Sequence, residues 1–463
     1  MIPRGSASPC WYALVRGHAP LPKPVRPASL HGETLVATRR KPARPVVMLP
    51  GYYGSELVDT AANNFEVWIT DDSLLHPVSV LNAIRLDTGD PARIVASGPL
   101  DHFSLAPFLH VGVYSQLRQF LRDKVGYPSG QIYGFGIDWR LSLTTLADHL
   151  RDQVDAIGTT VDLVAHSHGG LVARAYLQRH GAERVHALVT IGTPHKGMLK
   201  TFLAISEGFQ FLTFPPDHLR RTARSFPSAY ELLPSDPTDG LFTWNGQPDD
   251  PFARPEWCET AAMNAQLAAA GQVVHALPTH LPVEAYFLYG THQPTTVQCN
   301  GSPTALAFIE DTRGDSTVPL VSARGDGMTS DQGLHRYPIP FGVHGSLFAD
   351  PDALALLRLI LTGQPPAVWL AARWSSGPQP FAIYTENTLV VEVRDALGAL
   401  IPGTSVTLRF AGGSTTPVPQ TPDGDFVIDV TMPGAGSRLS WTVEATVPAG
   451  TFRRTGVLVA ANN

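Results

Sequence analysis

The chain has 463 residues, 43% of them hydrophobic, and a mean hydropathy near zero, the profile of a globular protein sized for one large domain plus a smaller one. A net charge of −6, from 34 basic and 40 acidic residues, excludes the basic footprint of a nucleic-acid binder. Three cysteines, Cys10, Cys258 and Cys299, are too few for a disulfide framework. One bridge between Cys258 and Cys299 is compatible with them, but free thiols in a reducing compartment are preferred.

Residues 1–44 carry Arg4, Arg16, Lys23, Arg26, Arg39, Arg40, Lys41 and Arg44 against the single acid Glu33, with prolines among them. This is read as a basic, Pro-rich, solvated arm. No continuous apolar segment of signal-peptide length opens the sequence. No stretch reaches the ~20 apolar residues of a membrane span, so a cytoplasmic location is expected.

From Pro45 strands alternate with helices. VVML at 46–49, ended by Pro50 and Gly51, suits a buried parallel strand. Val113, Leu117, Phe120 and Leu121 recur at helical spacing, and QIYGFG follows as a strand-like run. Leu143, Leu146, Leu150, Val154 and Ile157 form a second helical stripe, with Gly158 placed to cap it. VDLVA, the helix-like LVARAYLQRHG and the strand-like HALVTIG (186–192) come next. The order predicts a mostly parallel sheet with helices on both faces.

The alternation dissolves between about 197 and 283, an insertion long enough to be functional. Phe202, Phe209, Phe211 and Phe214 cluster at its start. YFLYG (286–290) resumes the sheet and ALALLRLILTG (353–363) reads as the closing helix. After Pro365 the period becomes two: Val406, Leu408 and Phe410; Phe426, Ile428 and Val430; Leu439, Trp441, Val443 and Ala445. Turn signals at LGALIPG, TPDGD and MPGAGS separate them, which predicts an immunoglobulin-like β-sandwich over 365–463, beside a catalytic domain over 45–364.

The stretch VDLVAHSHGGLVAR carries the chemistry. An apolar strand ending in Ala165-His166-Ser167-His168-Gly169, with a helix starting at once, is a nucleophile elbow with alanine for its first glycine. Small residues are steric requirements of that tight turn, and the helix N-terminus brings a positive dipole end to where an oxyanion would form. A metal reading of His166 and His168 lacks a third ligand, so no metal or cofactor is expected. Serine needs a base, and the base an orienting carboxylate, in the chain order Ser, acid, His. Asp315, in the turn of DTRGDSTVP, and His344, before the closing helix, fit that order. Asp311, Asp326, Asp331 and His335 compete on spacing but lie in polar loop context. For the oxyanion hole, one amide follows from the elbow, that of His168. The other is expected from the loop after the first strand, LPGYYGSEL, at Tyr52.

These stretches resemble the lecithin:cholesterol acyltransferase family of α/β-hydrolases, which includes phospholipid:diacylglycerol acyltransferases and lysosomal phospholipase A2. The matching segments are PGYYGSEL (50–57), IDWR (137–140), AHSHGG (165–170), IGTPHKG (191–197), FPSAYELLP (226–234), FLYGTHQPT (287–295), GDSTVP (314–319) and HGSLF (344–348). The resemblance implies an α/β-hydrolase fold with a lid or cap insertion. It implies Ser167 as nucleophile, Asp315 as acid, His344 as base, and the amides of Tyr52 and His168 as oxyanion donors. It also suggests Tyr53 and Trp68 as substrate-binding residues, and Asp138 and Arg140 as an ion pair supporting the pocket. The family's secreted members carry a disulfide in the loop after the first strand; here no cysteine lies between Cys10 and Cys258, so residues 59–101 are expected to be held by packing alone.

The function expected is a serine lipase, esterase or O-acyltransferase working on a lipid or other ester through an acyl-enzyme, in transient contact with a lipid surface. The Phe cluster suits either core or a lid, and its position between nucleophile and acid favours the lid. The alternative is a non-catalytic α/β-hydrolase-fold binding or scaffold protein that works through its β-sandwich. LDTG (86–89), NGS (300–302) and the two RGD triplets are short matches without supporting context, and the sequence leaves the oligomeric state open.

Overall fold

The computed structural model describes residues 42–106, 109–375, 386–431 and 438–459. Nearly all of the basic arm, and the MPGAGS turn, lie outside the described residues.

Six strands form the central sheet: β1 (Val46–Leu49), β2 (Ile132–Gly134), β3 (Val161–His166), β4 (Val185–Ile191), β5 (Glu284–Thr291) and β6 (Leu334–Pro340). Their order is β6-β5-β4-β3-β1-β2 and every pairing is parallel. Every residue of β1 and β3 is buried, as expected for strands covered on both faces, which read as unbroken apolar runs. Helices α1 (Tyr114–Phe120), α2 (Leu143–Ile157), α3 (His168–His180) and α7 (Pro351–Leu361) accompany this sheet. On α2 the stripe Leu143, Leu146, Ala147, Leu150 and Val154 faces the core, Ser142 caps the N-terminus and Gly158 closes the helix at φ 76°. The chain leaves β1 for β2 on one side and returns to β3 on the other. This switch point, at the carboxyl ends of the strands, is where open α/β sheets bind ligands. The expected α/β architecture, a central parallel sheet with helices, is present.

Three regions differ from the sequence expectations. His335 lies inside edge strand β6 rather than in a polar loop; Pro338 and Pro340 mask that strand, and proline is tolerated at a sheet edge because no ladder donor is needed on the open side. The 197–283 segment contains α4 (Leu199–Ser206), α5 (Pro216–Ala223) and α6 (Ala261–Ala276). Its Phe242–Trp244 strand pairs with Gln247–Pro248 on one side and with Thr295–Ser302 on the other, and Ala305–Asp311 completes the hairpin and a second, four-stranded sheet. Cys299 is buried there, and both it and Cys258 are free thiols. Residues 55–99 form a three-stranded antiparallel sheet held by more than packing. The fully buried Arg140 guanidinium pairs with Asp138 (2.6 Å) and donates to the carbonyls of Ile84 (3.2 Å) and Ile94 (2.6 Å).

Beyond the closing helix, β7 (Val368–Trp374), β8 (Glu386–Asp395) and β11 (Phe426–Thr431) form one sheet. β9 (Ser405–Phe410), β10 (Thr415–Pro417), β12 (Arg438–Val447) and β13 (Gly450–Val459) form another. Trp374, Leu389 and Val391 from the first share a core with Val406, Leu408, Trp441 and Val443 from the second. Ion pairs tie these sheets to the start of α7: Arg373 with Asp350 and Asp352, and Arg454 with Asp352.

Candidate active site

Ser167 sits between β3 and α3 at φ 51° and ψ −124°, a conformation that non-glycine residues adopt only when their surroundings enforce it. The enforcement comes from close packing. A Cβ on Gly170 would lie 2.1 Å from Thr193 Oγ1, and that hydroxyl donates to the Ser167 carbonyl at 2.9 Å. The turn therefore aims Ser167 Oγ outward at the switch point, with the helix dipole behind it.

His344, in the turn Val343–Ala349, places Nε2 2.9 Å from Ser167 Oγ, and its Nδ1 lies 2.8 Å from Asp315 Oδ2. With Nδ1–H donating to the carboxylate, Nε2 is left to accept the serine proton. Asp315 is fully buried. Its other oxygen accepts the amides of Val318 (2.7 Å) and Thr317 (3.1 Å), and its carbonyl accepts the amide of His344 (2.8 Å). Ser167 and His344 follow strands β3 and β6 of the central sheet and Asp315 follows the Ala305–Asp311 strand of the second sheet, so the three meet only in the tertiary structure. Among the competing residues, Asp311 pairs with Arg313, Asp326 with Arg324 and Asp331 with His280, while His335 stacks on Tyr286.

The His168 amide opens α3, where the first N–H groups have no intrahelical acceptor. Tyr52 lies in the facing loop after β1, and its amide meets no acceptor among the described residues. The His168 ring points inward, fully buried against the edge of Tyr52, and burial pushes its pKa down to about 3. His168 therefore offers backbone, not side chain, to the site.

Sequence reasoning passed over Tyr114, which no motif marks. The Gly51 amide donates to Tyr114 Oη at 2.7 Å, Tyr114 Oη lies 2.7 Å from His166 Nδ1, and His166 Nε2 lies 3.0 Å from the His344 carbonyl. Because Oη accepts from Gly51, its own proton goes to Nδ1, and His166 carries its proton on Nε2 and donates to His344. Burial, with the neighbouring His344, lowers the His166 pKa to about 3 and keeps it neutral. This buried relay joins the loop bearing Tyr52 to the backbone of His344.

A cleft of about 1000 Å³, open mouth included, begins at Ser167 and His344 and is lined by Tyr53, Met198, Ala204, Phe209, Phe211 and Phe348, among others. The Phe cluster divides. Phe202 and Phe214 are fully buried, Phe202 against Trp257 and Phe214 against Trp68, while Phe209 and Phe211 face the cleft. Trp68 does not line the cleft. Its indole is buried behind Tyr53, donates to the Tyr53 carbonyl at 3.1 Å and stacks on Phe214. The 226–234 segment supports the floor: Ser228 Oγ donates to the Trp139 carbonyl (2.6 Å), and Glu231 accepts the Ser142 hydroxyl (2.5 Å) and the Leu143 amide (2.7 Å).

Residues 100–261 match the family model described as lecithin:cholesterol acyltransferase. The lysosomal phospholipase A and acyltransferase of Mus musculus is 27% identical over 264 residues, covering 51% of this chain and 63% of that protein. An uncharacterised protein of Saccharomyces cerevisiae is 29% identical over 159 residues, 32% of this chain and 23% of that one. The chain thus spans less than two thirds of the length of these curated relatives. Among solved structures, the Tle4–Tli4 complex is similar at 16% identity and a TM-score of 0.45, over 70% of this chain and 99% of that one. The family model and the murine relative make this chain similar, over part of its length, to the lecithin:cholesterol acyltransferase family.

Proposed function

We propose that the protein is a serine-dependent lipid-ester hydrolase or O-acyltransferase. The observation that carries this reading is the hydrogen-bonded series Ser167–His344–Asp315 at the mouth of an apolar cleft. Ser167 attacks the ester carbonyl while His344 takes its proton, and Asp315 holds the imidazole tautomer and stabilises the imidazolium. The amides of Tyr52 and His168 bind the oxyanion; loss of one such donor typically costs ~100- to 1000-fold in rate. His344 returns the proton to the leaving alcohol, and water or an acceptor alcohol then releases the acyl group. Tyr53 binds the substrate, with Trp68 behind it as support. In this reading 45–364 is the catalytic domain, Phe209 and Phe211 belong to a cap over the acyl chain, and 365–463 is an immunoglobulin-like sandwich.

Fluorophosphonate labelling tests the proposal. The wild-type protein should label and Ser167→Ala should not. An unlabelled wild type, under conditions where a known serine esterase reacts, favours a non-catalytic protein with this fold. Product analysis with mixed phospholipids and neutral esters, with and without a long-chain alcohol, separates free acid from new ester and so hydrolysis from transfer.

A further inference from the structure

The turn bearing Asp315 rests on residues 290–295, the end of β5 and the four residues after it. The Gln293 amide donates to the Gly314 carbonyl at 2.9 Å, and Gln293 bridges to Asp315 in parallel register. Thr295 Oγ1 donates to the Gln293 carbonyl and accepts the Ser316 amide, both at 2.8 Å. The contact is close enough that a Cβ on Gly290 would lie 2.7 Å from the Asp315 Cβ. A displacement of 290–295 is therefore a displacement of Asp315.

Two residues of this bed are gripped by the C-terminal sheets. The Thr291 hydroxyl donates to Glu392 Oε1 on β8 at 2.7 Å, so Thr291 Oγ1 accepts from His292 Nδ1 at 2.8 Å. His292 Nε2 lies 3.4 Å from Asp425 Oδ2, beside the start of β11. Arg394 closes the cluster against Asp425 and, at 3.5 Å, against Glu392. Thr291, Glu392, Arg394 and Asp425 are all buried. Burial opposes charge on His292, but Asp425 and Glu392 outweigh it and raise its pKa; burial, with Asp425 adding, pushes Glu392 up to about 7. His292, Glu392 and Asp425 have metal-ligand chemistry, yet the Arg394 guanidinium already supplies the positive charge they need. A buried ionic cluster is weak as a source of stability, because desolvation offsets the attraction. Its physical effect is to fix geometry.

We propose that the C-terminal sheets are a positioning element for the active site: Glu392 and Asp425, through Thr291 and His292, set the segment on which the Asp315 turn lies. The proposal rests on Asp315 being the carboxylate that orients His344. The tail then acts on turnover and is more than an appended binding module.

The test uses the full chain, with rates expressed per site titrated by fluorophosphonate so that misfolded protein is not counted. Glu392→Gln and Asp425→Asn should each lower kcat by ~10- to 100-fold, the scale of a misplaced catalytic group. KM should stay within about twofold, because the loss falls on proton transfer. Because rates are counted per titrated site, a purely structural role would lower the number of sites and leave kcat per site unchanged. Thr291→Val should act in the same direction and Thr291→Ser should restore wild-type rates, a pair that decides the matter if the charge variants do not fold. Wild-type kcat per titrated site in Glu392→Gln and Asp425→Asn, or in Thr291→Val where those two do not fold, would overturn the proposal while leaving the serine mechanism standing. A wild-type protein that does not label overturns both.

Discussion

His168 is fully buried with both ring nitrogens lacking a hydrogen-bond partner, and a buried unpaired polar group costs ~1–3 kcal/mol. Since only its amide is asked to serve the site, His168→Leu should raise Tm by ~2 °C or more and leave kcat within a few fold, measured by thermal unfolding and ester turnover. His166, one residue the other side of the serine, is fully used. Tyr114→Phe leaves the Gly51 amide and His166 Nδ1 without their shared partner. Stranding these groups beside the loop that carries Tyr52 should cost kcat about tenfold, the equivalent of ~1.4 kcal/mol, with KM little changed. The sequence shows two histidines around one serine and no distinction between them. The distinction is tertiary: one ring meets Tyr114, 52 positions away, and the other meets an aromatic edge.

At the level of elements, Arg140 is a strap. It comes from the loop after β2, yet its donors reach the carbonyls of Ile84 and Ile94, so it anchors the 55–99 sheet without a disulfide. Arg140→Met leaves Asp138 buried and unpaired, which should destabilise by ~3–5 kcal/mol, read by denaturant unfolding, with earlier proteolytic cleavage in 59–101. Helix α2 was legible because a stripe, a serine cap and a terminal glycine all lie within its own residues. The glutamate that completes its start was not legible, being Glu231, 88 positions from Leu143. Edge strand β6 escaped notice because its prolines imitate a loop. The sheet built on Phe242–Trp244 escaped because the hairpin that extends it lies beyond residue 294.

Across the whole molecule, buried ionisable groups set opposite responses to pH. Burial lowers His166 and His168 to about 3 and His195 well below its ordinary value. Each stays neutral when folded and takes a proton when unfolded, so stability they allow above pH ~6.5 is lost as pH falls toward 3. Glu231 and Glu392 are pushed up to about 7. Their folded forms hold a proton that the unfolded chain has released, so stability present below pH ~4.5 is lost as pH rises through 7. Between ~4.5 and ~6.5 the two sets partly cancel; below ~4.5 the histidine loss runs unopposed by them, and Asp352, which burial would raise but Arg454 and Arg373 hold low, adds to it, so Tm should fall most steeply there. His168→Leu should soften that acid fall and Glu231→Gln the loss toward pH 7, both visible in Tm-against-pH curves. The sequence by itself determined the succession of strands and helices and the elbow around Ser167, because periodicity and the steric needs of a tight turn are written in neighbouring residues. Only the tertiary structure decided which acid and which histidine meet the serine, what His166 does, and how the C-terminal sheets reach the Asp315 turn. Those depend on sheet order, which brings His344 to Ser167 across 177 positions and Glu392 to Thr291 across 101, distances over which no local pattern carries information.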